Sequence, residues 1–397
     1  MLWNAFSEYY YEFARMSISE LDTSYFQKLK HIGKGGYANV YLAKFVRSDQ
    51  KCAIKIINKN LIDQSFLLLQ LEMEIKALKT FNTKTIPYLY GIYISNNNMI
   101  IHQEYKEGKT LRFFMSRNKL DEDMIFEICW RLLQTLYIIQ VQGFIHRDIK
   151  PSNIIIKKLE TRSNVSSSNH IKYTNSEKIT ERKKSANNSG ARGYQSVVSS
   201  SGQVSKNSSG IMQYPNSVAD EKYRGNPFKP SFEISLIDFG LCVTTYDKAN
   251  RIKLMRKICG TKGYISPEVI ISNTEEKREK LDLFKIDVYS IGIVVYELIT
   301  KKNPFYDKNE NKILKNNLSG KIDFKLPTFS SVSDERKNLV IKLCEKDPSQ
   351  RITVSDALTH PALADFEASL MDEDRNDDLA RWKDGVMDNI VAPKVDP

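Results

Sequence analysis

The chain contains no Cys-x-x-Cys pair and no histidine cluster. Its five cysteines (Cys52, Cys129, Cys242, Cys259 and Cys344) are scattered along 397 residues. That spacing argues against a disulfide framework and against a zinc site, and it fits a reducing compartment. No stretch approaches 18 consecutive apolar residues, so no membrane span is expected. The opening M-L-W-N-A-F-S-E-Y-Y-Y-E-F carries Glu8 and Glu12 within its aromatic run, which does not fit a signal peptide. RNP, zinc-finger and helix-turn-helix signatures are absent too, so no nucleic-acid partner is expected. These absences together lead to an expected location in the cytoplasm and/or the nucleus.

What remains has the composition of a globular protein, 41% apolar and 27% charged. The net charge of +11 is unevenly spread. Residues 367–397 hold nine Asp/Glu against four Lys/Arg, a net of −5, which leaves +16 on the rest. A basic body suits acidic or phosphate-bearing partners, although excess lysine is also the usual solvated surface.

The chain divides by texture. Residues 1–24 form an aromatic-rich N-terminal extension. Residues 25–156 alternate strand-like and helix-like patterns. Y-F-Q-K-L-K-H-I-G, N-V-Y-L-A-K-F, C-A-I-K-I-I-N and M-I-I-H-Q-E-Y read as strands. S-F-L-L-L-Q-L-E-M-E-I-K-A-L-K has helical spacing, and D-E-D-M-I-F-E-I-C-W-R-L-L-Q-T-L-Y-I-I-Q is a long helix entered through acidic residues. Residues 157–231 turn polar and Ser/Asn-rich, a composition that cannot bury enough apolar surface to offset chain entropy, and they read as a disordered insert. Patterning resumes at F-E-I-S-L-I-D-F-G and runs to about Phe366, before the acidic tail 367–397. In that tail Met371, Leu379, Trp382 and Val386 fit either a docking amphipathic helix or a frayed terminus. A β-rich part followed by a helical part predicts an α+β fold of two lobes with a cleft between them.

Gly33-Lys34-Gly35-Gly36-Tyr37-Ala38-Asn39-Val40 lies between two strands, where backbone N–H groups can approach phosphates without a Cβ in the way. Lys55 follows on the next strand, and Glu74 sits 19 residues further on, on a helix, spaced to hold it by an ion pair. His146-Arg147-Asp148-Ile149-Lys150-Pro151-Ser152-Asn153 comes next, and beyond the insert Asp238-Phe239-Gly240, S-P-E, D-V-Y-S-I-G and Arg351. One such motif arises by chance; all of them in this order do not. The chain resembles the eukaryotic protein kinase family over roughly 25–366, with a small lobe at about 25–105 and a helical lobe at about 106–366.

The resemblance implies roles. Asp148 would be the base that orients a substrate hydroxyl, and Lys150, a lysine typical of the Ser/Thr branch, would steady the transferring phosphoryl. Asn153 and Asp238 would coordinate Mg²⁺, with Mn²⁺ as a substitute. Lys55, paired with Glu74, would contact the α/β-phosphates of ATP under the loop Ile32, Gly33, Lys34, Gly35 and Gly36. Adenine would lie between Ile32, Val40 and Ala53 above and Ile155 below, along a hinge from Glu104 to Lys106, with Gln103 at the back of the pocket. Thr261 would bond near Asp148 and Lys150. Glu268 with Arg351, and Asp287, would be architecture. Protein substrates are implied as well, with a monomeric catalytic domain and a regulatory subunit as a further expectation.

The chain also departs from the family. Ala38 replaces the third loop glycine, as in Polo-like kinases. Asn153 and Asp238 lie 85 residues apart instead of about a dozen. Such an insert suits a regulatory loop rich in Ser/Thr and basic spots such as Glu181-Arg182-Lys183-Lys184, or a neutral expansion. C-G-T-K-G-Y-I-S-P-E is similar both to kinases that fire replication origins and to those acting on translation initiation factor 2. Lys257 stands where many relatives carry a phosphorylated Ser or Thr, so Arg147 loses its usual acceptor and Thr244, Thr245, Tyr246 or a partner subunit would have to supply the switch. Lys262 would favour Asp or Glu after the phosphoacceptor. A pseudokinase scaffold is the competing class, but Lys55, Asp148, Asn153 and Asp238 are all present.

Overall fold

The structure, a computed structural model, describes residues 25–35, 37–46, 48–62, 65–94, 97–159, 231–255, 258–272, 276–277 and 281–366. The N-terminal extension, residues 160–230 of the insert and the acidic tail lie outside them, so the expectations for those segments do too; residues 157–159 and 231, read from the sequence as part of the disordered insert, are ordered instead, because Lys157 and Lys158 continue a strand and Leu159 bonds to Ser231.

Five strands come first: β1 Phe26–Lys34, β2 Ala38–Phe45, β3 Gln50–Asn58, β4 Leu89–Ile94 and β5 Asn98–Glu104. They form one antiparallel sheet in the order β1-β2-β3-β5-β4. The alternation of a strand sorts β3 and β5 between two cores. Ile57, Met99 and Ile101 join the main core, where helix α1, Ser65–Thr80, contributes Leu71, Met73, Ile75 and Leu78. Cys52, Ile54 and Ile100 point the other way and join Phe26 and Ala43 in a second cluster.

On that second face His102 is buried among aromatic rings, with Phe26 and Tyr90 at 4.9 Å, Phe45 at 5.2 Å and Tyr93 at 5.8 Å between centroids. Among the described residues no acid faces it, and burial pushes its pKa down to about 4.

The helical part comes after β6 Lys109–Thr110. Helix α2, Leu111–Arg117, is capped by Thr110, and α3, Glu122–Val141, by Asp121, with Glu122 and Asp123 in its first turn favouring the positive end of the helix. By length and composition α3 could cross a membrane, yet eleven of its residues are buried in the core. Next come β7 Phe144–Ile145, β8 Ile154–Lys158, β9 Phe232–Leu236, β10 Val243–Thr244, α4 Lys248–Met255, α5 Pro267–Ile271 and α6 Phe284–Thr300. Helix α6 is buried continuously from Ile286 to Leu298, as expected of a helix apolar on every face. The chain closes with α7 Glu310–Ser319, α8 Asp334–Leu343 and α9 Val354–Leu358. Gly292 on α6 admits α8: a Cβ there would lie 2.8 Å from Cys344 Sγ.

The two ends of the insert pair. β8 runs antiparallel to β9 from Ile154↔Leu236 to Lys158↔Phe232, and the Leu159 N–H donates to the Ser231 carbonyl at 3.0 Å. Glu127 of α3, fully buried, seals this seam. Its Oε1 accepts from the backbone N–H of Ser231 at 2.9 Å and of Phe232 at 3.3 Å, and from Arg131 Nε at 3.0 Å.

The expected pair Glu268–Arg351 is also present. Arg351 meets Glu268 through two parallel bonds of 2.7 and 3.0 Å, and its other N–H groups donate to the carbonyls of Glu345, Lys285 and Lys346. Every donor of this buried guanidinium is thereby satisfied.

The buried histidine sets a pH dependence. Unfolded, His102 would ionise near about 6.5. Between that pH and about 4 the unfolded chain therefore binds a proton that the folded one does not. Stability should then fall as pH drops through this window. Urea midpoints measured from pH 7 to 4 should decline less steeply for His102→Phe than for the wild type; equal slopes would remove His102 as the cause.

Candidate active site

The glycine turn joins β1 to β2, with Gly33 opposite Val40 and Lys34 opposite Asn39, and the Gly35 N–H donates to the Ala38 carbonyl at 2.8 Å. Gly36 lies outside the described residues. The Ala38 methyl is buried in the main core, which explains why a glycine is not needed there. The Tyr37 ring lies over the Lys55 ammonium, 5.4 Å from it.

Lys55 sits opposite Val40 on β2 and Ile101 on β5, and it reaches Glu74 of α1 at 2.7 and 2.8 Å. Asp238 stands 3.5 Å away on the other side. Burial alone would discharge this lysine, but the carboxylates of Glu74 and Asp238 hold its pKa above the ordinary value, so it stays a cation.

Ala53 is buried, Val40 and Ile155 are half-buried and Ile32 is 42% exposed, a set of apolar side chains from strands of both parts of the fold. At the expected hinge the Glu104 N–H donates to the Tyr88 carbonyl at 2.8 Å. The Lys106 ammonium is taken up by Glu104 at 2.7 Å and the Lys84 carbonyl at 2.9 Å, so this lysine offers the cleft its backbone rather than its charge. Gln103 pairs with Ala53 on the adjoining strand.

The loop between β7 and β8 hangs from Asp287 of α6. One carboxylate oxygen accepts from the His146 N–H at 2.6 Å and the other from the Arg147 N–H at 2.8 Å. These bonds hold Arg147 at φ +68°, a conformation a long side chain rarely adopts. His146 accepts the Asp148 N–H on Nδ1 and donates from Nε2 to the Ile237 carbonyl, which fixes its tautomer.

Thr261, Asn153 and Lys150 converge on the Asp148 carboxylate. Its Oδ1 accepts from the backbone N–H of Thr261 at 3.0 Å and from its hydroxyl at 2.8 Å. Its Oδ2 accepts from Asn153 Nδ2 at 2.9 Å and pairs with Lys150 Nζ at 2.7 Å. Lys150 also donates to Thr261 Oγ1 at 2.7 Å. Because Asn153 spends its N–H groups on Asp148, its amide oxygen is left for another partner. Asp238 opens to the cleft at φ +67°. Surrounding protein desolvates its carboxyl, yet Lys55 and His146 hold its pKa below the usual range, so it is an anion.

Behind it Phe239 is buried, 4.8 Å from the His146 ring and 5.5 Å from Phe81. The chain then pairs β10 with β7 and forms α4, a helix the sequence reading did not anticipate. Its Ile252, Leu254 and Met255 are buried and the helix packs on α1. Of the alternative switch residues, Thr244 is buried and Thr245 is bonded to the Gly143 carbonyl, while Tyr246 is 69% exposed. Arg256 and Lys257 lie outside the described residues. Among the described residues, Arg147 Nη2 is buried without a hydrogen-bond partner.

Past Thr261 the chain is clamped from α7. Asn317, fully buried, donates to the carbonyls of Lys262 at 2.8 Å and Ile265 at 2.6 Å, and Asn303 donates to that of Gly263 at 3.1 Å. The Lys262 ammonium meets Glu310 at 2.6 Å. A further cluster that sequence reasoning missed joins Arg112, Tyr264 and Glu297. Arg112 donates to Glu297 at 2.5 Å and to the Tyr264 oxygen at 2.6 Å.

The model of the protein kinase domain matches residues 26–196 and 224–363, well over half of the chain. The chain belongs to this family. It is 25% identical over 345 residues to the serine/threonine-protein kinase cds1 of Schizosaccharomyces pombe, covering 86% of this chain and 58% of that protein. It is 25% identical to calcium-dependent protein kinase 4 of Plasmodium berghei, covering 84% and 48%, and 23% identical to CBL-interacting protein kinase 26 of Oryza sativa, covering 82% and 49%. The chain thus spans about half the length of the curated relatives it matches. These names reach protein kinases, one of them by name a serine/threonine kinase, but not the Polo-like or origin-firing resemblance.

The central ion pair allows a test by stability alone. Replacing Lys55 by Met strands Glu74 in the interior and should cost about 3 kcal/mol in urea unfolding at pH 7. Adding Glu74→Gln should recover most of that loss, and a double variant as unstable as the single one would show that the cost lies elsewhere.

Proposed function

We propose that the chain is an ATP-dependent serine/threonine protein kinase. The observation that carries this is the Asp148 carboxylate, fixed by Thr261, Asn153 and Lys150 beside a cleft that also holds Lys55 and Asp238. Phosphoryl transfer requires positioning and charge neutralisation more than covalent chemistry, and this set supplies both. Asp148 orients the substrate hydroxyl and accepts its proton, and Thr261 keeps the carboxylate aimed. Lys150 neutralises charge beside the acceptor, and Lys55, locked by Glu74, presents a cation to the nucleotide phosphates. The free amide oxygen of Asn153 and the ionised Asp238 are hard oxygen donors that suit Mg²⁺. Bound Mg-ATP supplies the transferable phosphoryl group. The pseudokinase alternative has no missing group to support it.

Replacing Asp148 by Asn should lower kcat on a Ser/Thr peptide library by about 10²- to 10⁴-fold while MgATP affinity persists. Undiminished turnover in that variant would reject Asp148 as the base.

The same proposal extends to substrate preference. Lys262 comes directly after the Thr261 that touches Asp148, so it lies where the residue after a bound acceptor hydroxyl would pass. Its carbonyl is pinned by Asn317, while its ammonium meets the exposed Glu310. An acidic residue of the substrate competes for Lys262 against a carboxylate of the chain itself. Glu310→Gln should therefore lower KM for a peptide with Glu after the acceptor by about two- to five-fold and leave a neutral peptide unchanged. Lys262→Ala should abolish the difference between the two peptides. Identical behaviour of both peptides with the wild-type enzyme would discard the acidic preference while leaving the kinase assignment intact.

A further inference from the structure

Arg112, near the start of α2, is half exposed, yet the carboxylate it reaches is buried in α6. Glu297 accepts from Arg112 Nη1 on Oε1 at 2.5 Å and from Nη2 on Oε2 at 3.3 Å. The Tyr264 hydroxyl completes a triangle, accepting from Arg112 Nη2 at 2.6 Å and donating to Glu297 Oε2 at 2.5 Å. These bonds use three of the five N–H groups of the guanidinium. The Nε–H and the second Nη1–H meet no acceptor among the described residues.

Two bonds tie this triangle to the segments that hold Asp148. The Arg112 N–H donates to the Pro151 carbonyl at 2.9 Å, next to Lys150, and the Tyr264 N–H donates to the Thr261 carbonyl at 2.8 Å. The backbone around Tyr264 is already engaged. Asn317 takes the carbonyls of Lys262 and Ile265, Asn303 that of Gly263, and Ser290 Oγ that of Tyr264 at 2.9 Å. With every carbonyl from 261 to 265 paired, a substrate passing here meets side chains rather than an open strand edge. A buried carboxylate with a hydroxyl beside it is a seat for a cation. In this chain the seat is filled from within.

We propose that Arg112 is a specificity-determining residue: it occupies the seat that a basic side chain of a substrate would take, and so turns away substrates with Lys or Arg at that position. The proposal rests on the kinase reading and narrows its substrate class. A substrate cation arriving here meets the charge of Arg112 and finds Glu297 already paired. A substrate carboxylate instead finds two open N–H groups on a half-exposed guanidinium. Arg112 and Lys262 thus select acidic segments in different ways. The carboxylate on Lys262 is 78% exposed and can yield to a substrate, whereas the one on Arg112 is 4% exposed and stays in place. Lys262 is a contact the substrate competes for, and Arg112 is a fixed one.

The test uses the full chain and a peptide library in which each position flanking a Ser or Thr carries Arg, Ala or Glu in turn. Turnover is read as the ratio of kcat/KM between peptides that differ at one position, so a loss of overall activity cancels. Peptide binding is read in parallel by fluorescence anisotropy. At one position the wild type should disfavour Arg relative to Ala. Arg112→Ala should reverse that order at the same position, with the Arg peptide gaining about ten-fold and the Glu peptide losing its advantage. Arg112→Gln, which keeps a donor to Glu297, should show the same reversal at smaller size, and it guards against collapse of the seat. Adding Glu297→Gln to Arg112→Ala should erase the new preference for Arg, a result that a merely structural ion pair does not produce. An unchanged ranking at every position in both Arg112 variants, or a preference for Arg that survives loss of the Glu297 charge, would overturn the proposal and leave the kinase assignment intact. A reversal in binding by a chain that phosphorylates no peptide would sustain the seat and reject the kinase assignment instead. Absence of both reversal and phosphorylation would overturn the two together.

Discussion

The Asp287 carboxylate governs the geometry of the site. It is buried in the first turn of α6, where ionisation is opposed by desolvation, and it spends both oxygens on two consecutive backbone N–H groups. Those two bonds impose a left-handed turn at Arg147 that no local preference would choose. Once that turn is made, His146 faces Ile237 and Phe239, Asp148 faces Thr261, and Asn153 can return to Asp148. One buried acid thus converts the rigidity of the most apolar helix into the orientation of a polar loop some 140 positions earlier in the chain.

Much of this was legible in the sequence because it is written in short, ordered motifs. Lys55 with Glu74 and Glu268 with Arg351 are implied by residue types at defined places. What escaped has no local signature. Arg112 meets Glu297 across 185 positions, and Lys262 meets Glu310 across 48. Each of these residues, taken singly, looks like a solvated surface charge. Helix α4 escaped for a different reason: K-A-N-R-I-K-L-M is too short and too polar for its period to stand out, and only packing against α1 justifies burying its three apolar residues. Glu127 was hidden inside an apolar helical pattern, where an acid suggests an exposed face rather than a buried clasp.

The described part of the molecule accommodates several buried charges, and the way each is neutralised differs. Arg351 has every donor filled and serves rigidity. Lys55 keeps its charge because two acids surround it, one of them open to the cleft. Arg147 is left one bond short. The three thus differ in how completely their charge is paired, as expected where incomplete pairing is kept for function.

The seam between β8 and β9 has a consequence for how such a chain can change. Because the Leu159–Ser231 bond and the Glu127 clasp finish the ladder on their own, the catalytic residues on either side are insulated from whatever joins them. Doubling the length of the joining segment would add only about 0.6 kcal/mol of closure entropy. That position is a port for genetic cargo: mutation can lengthen, shorten or replace the passage, and a designer can splice a reporter there, without retuning the geometry around Asp148.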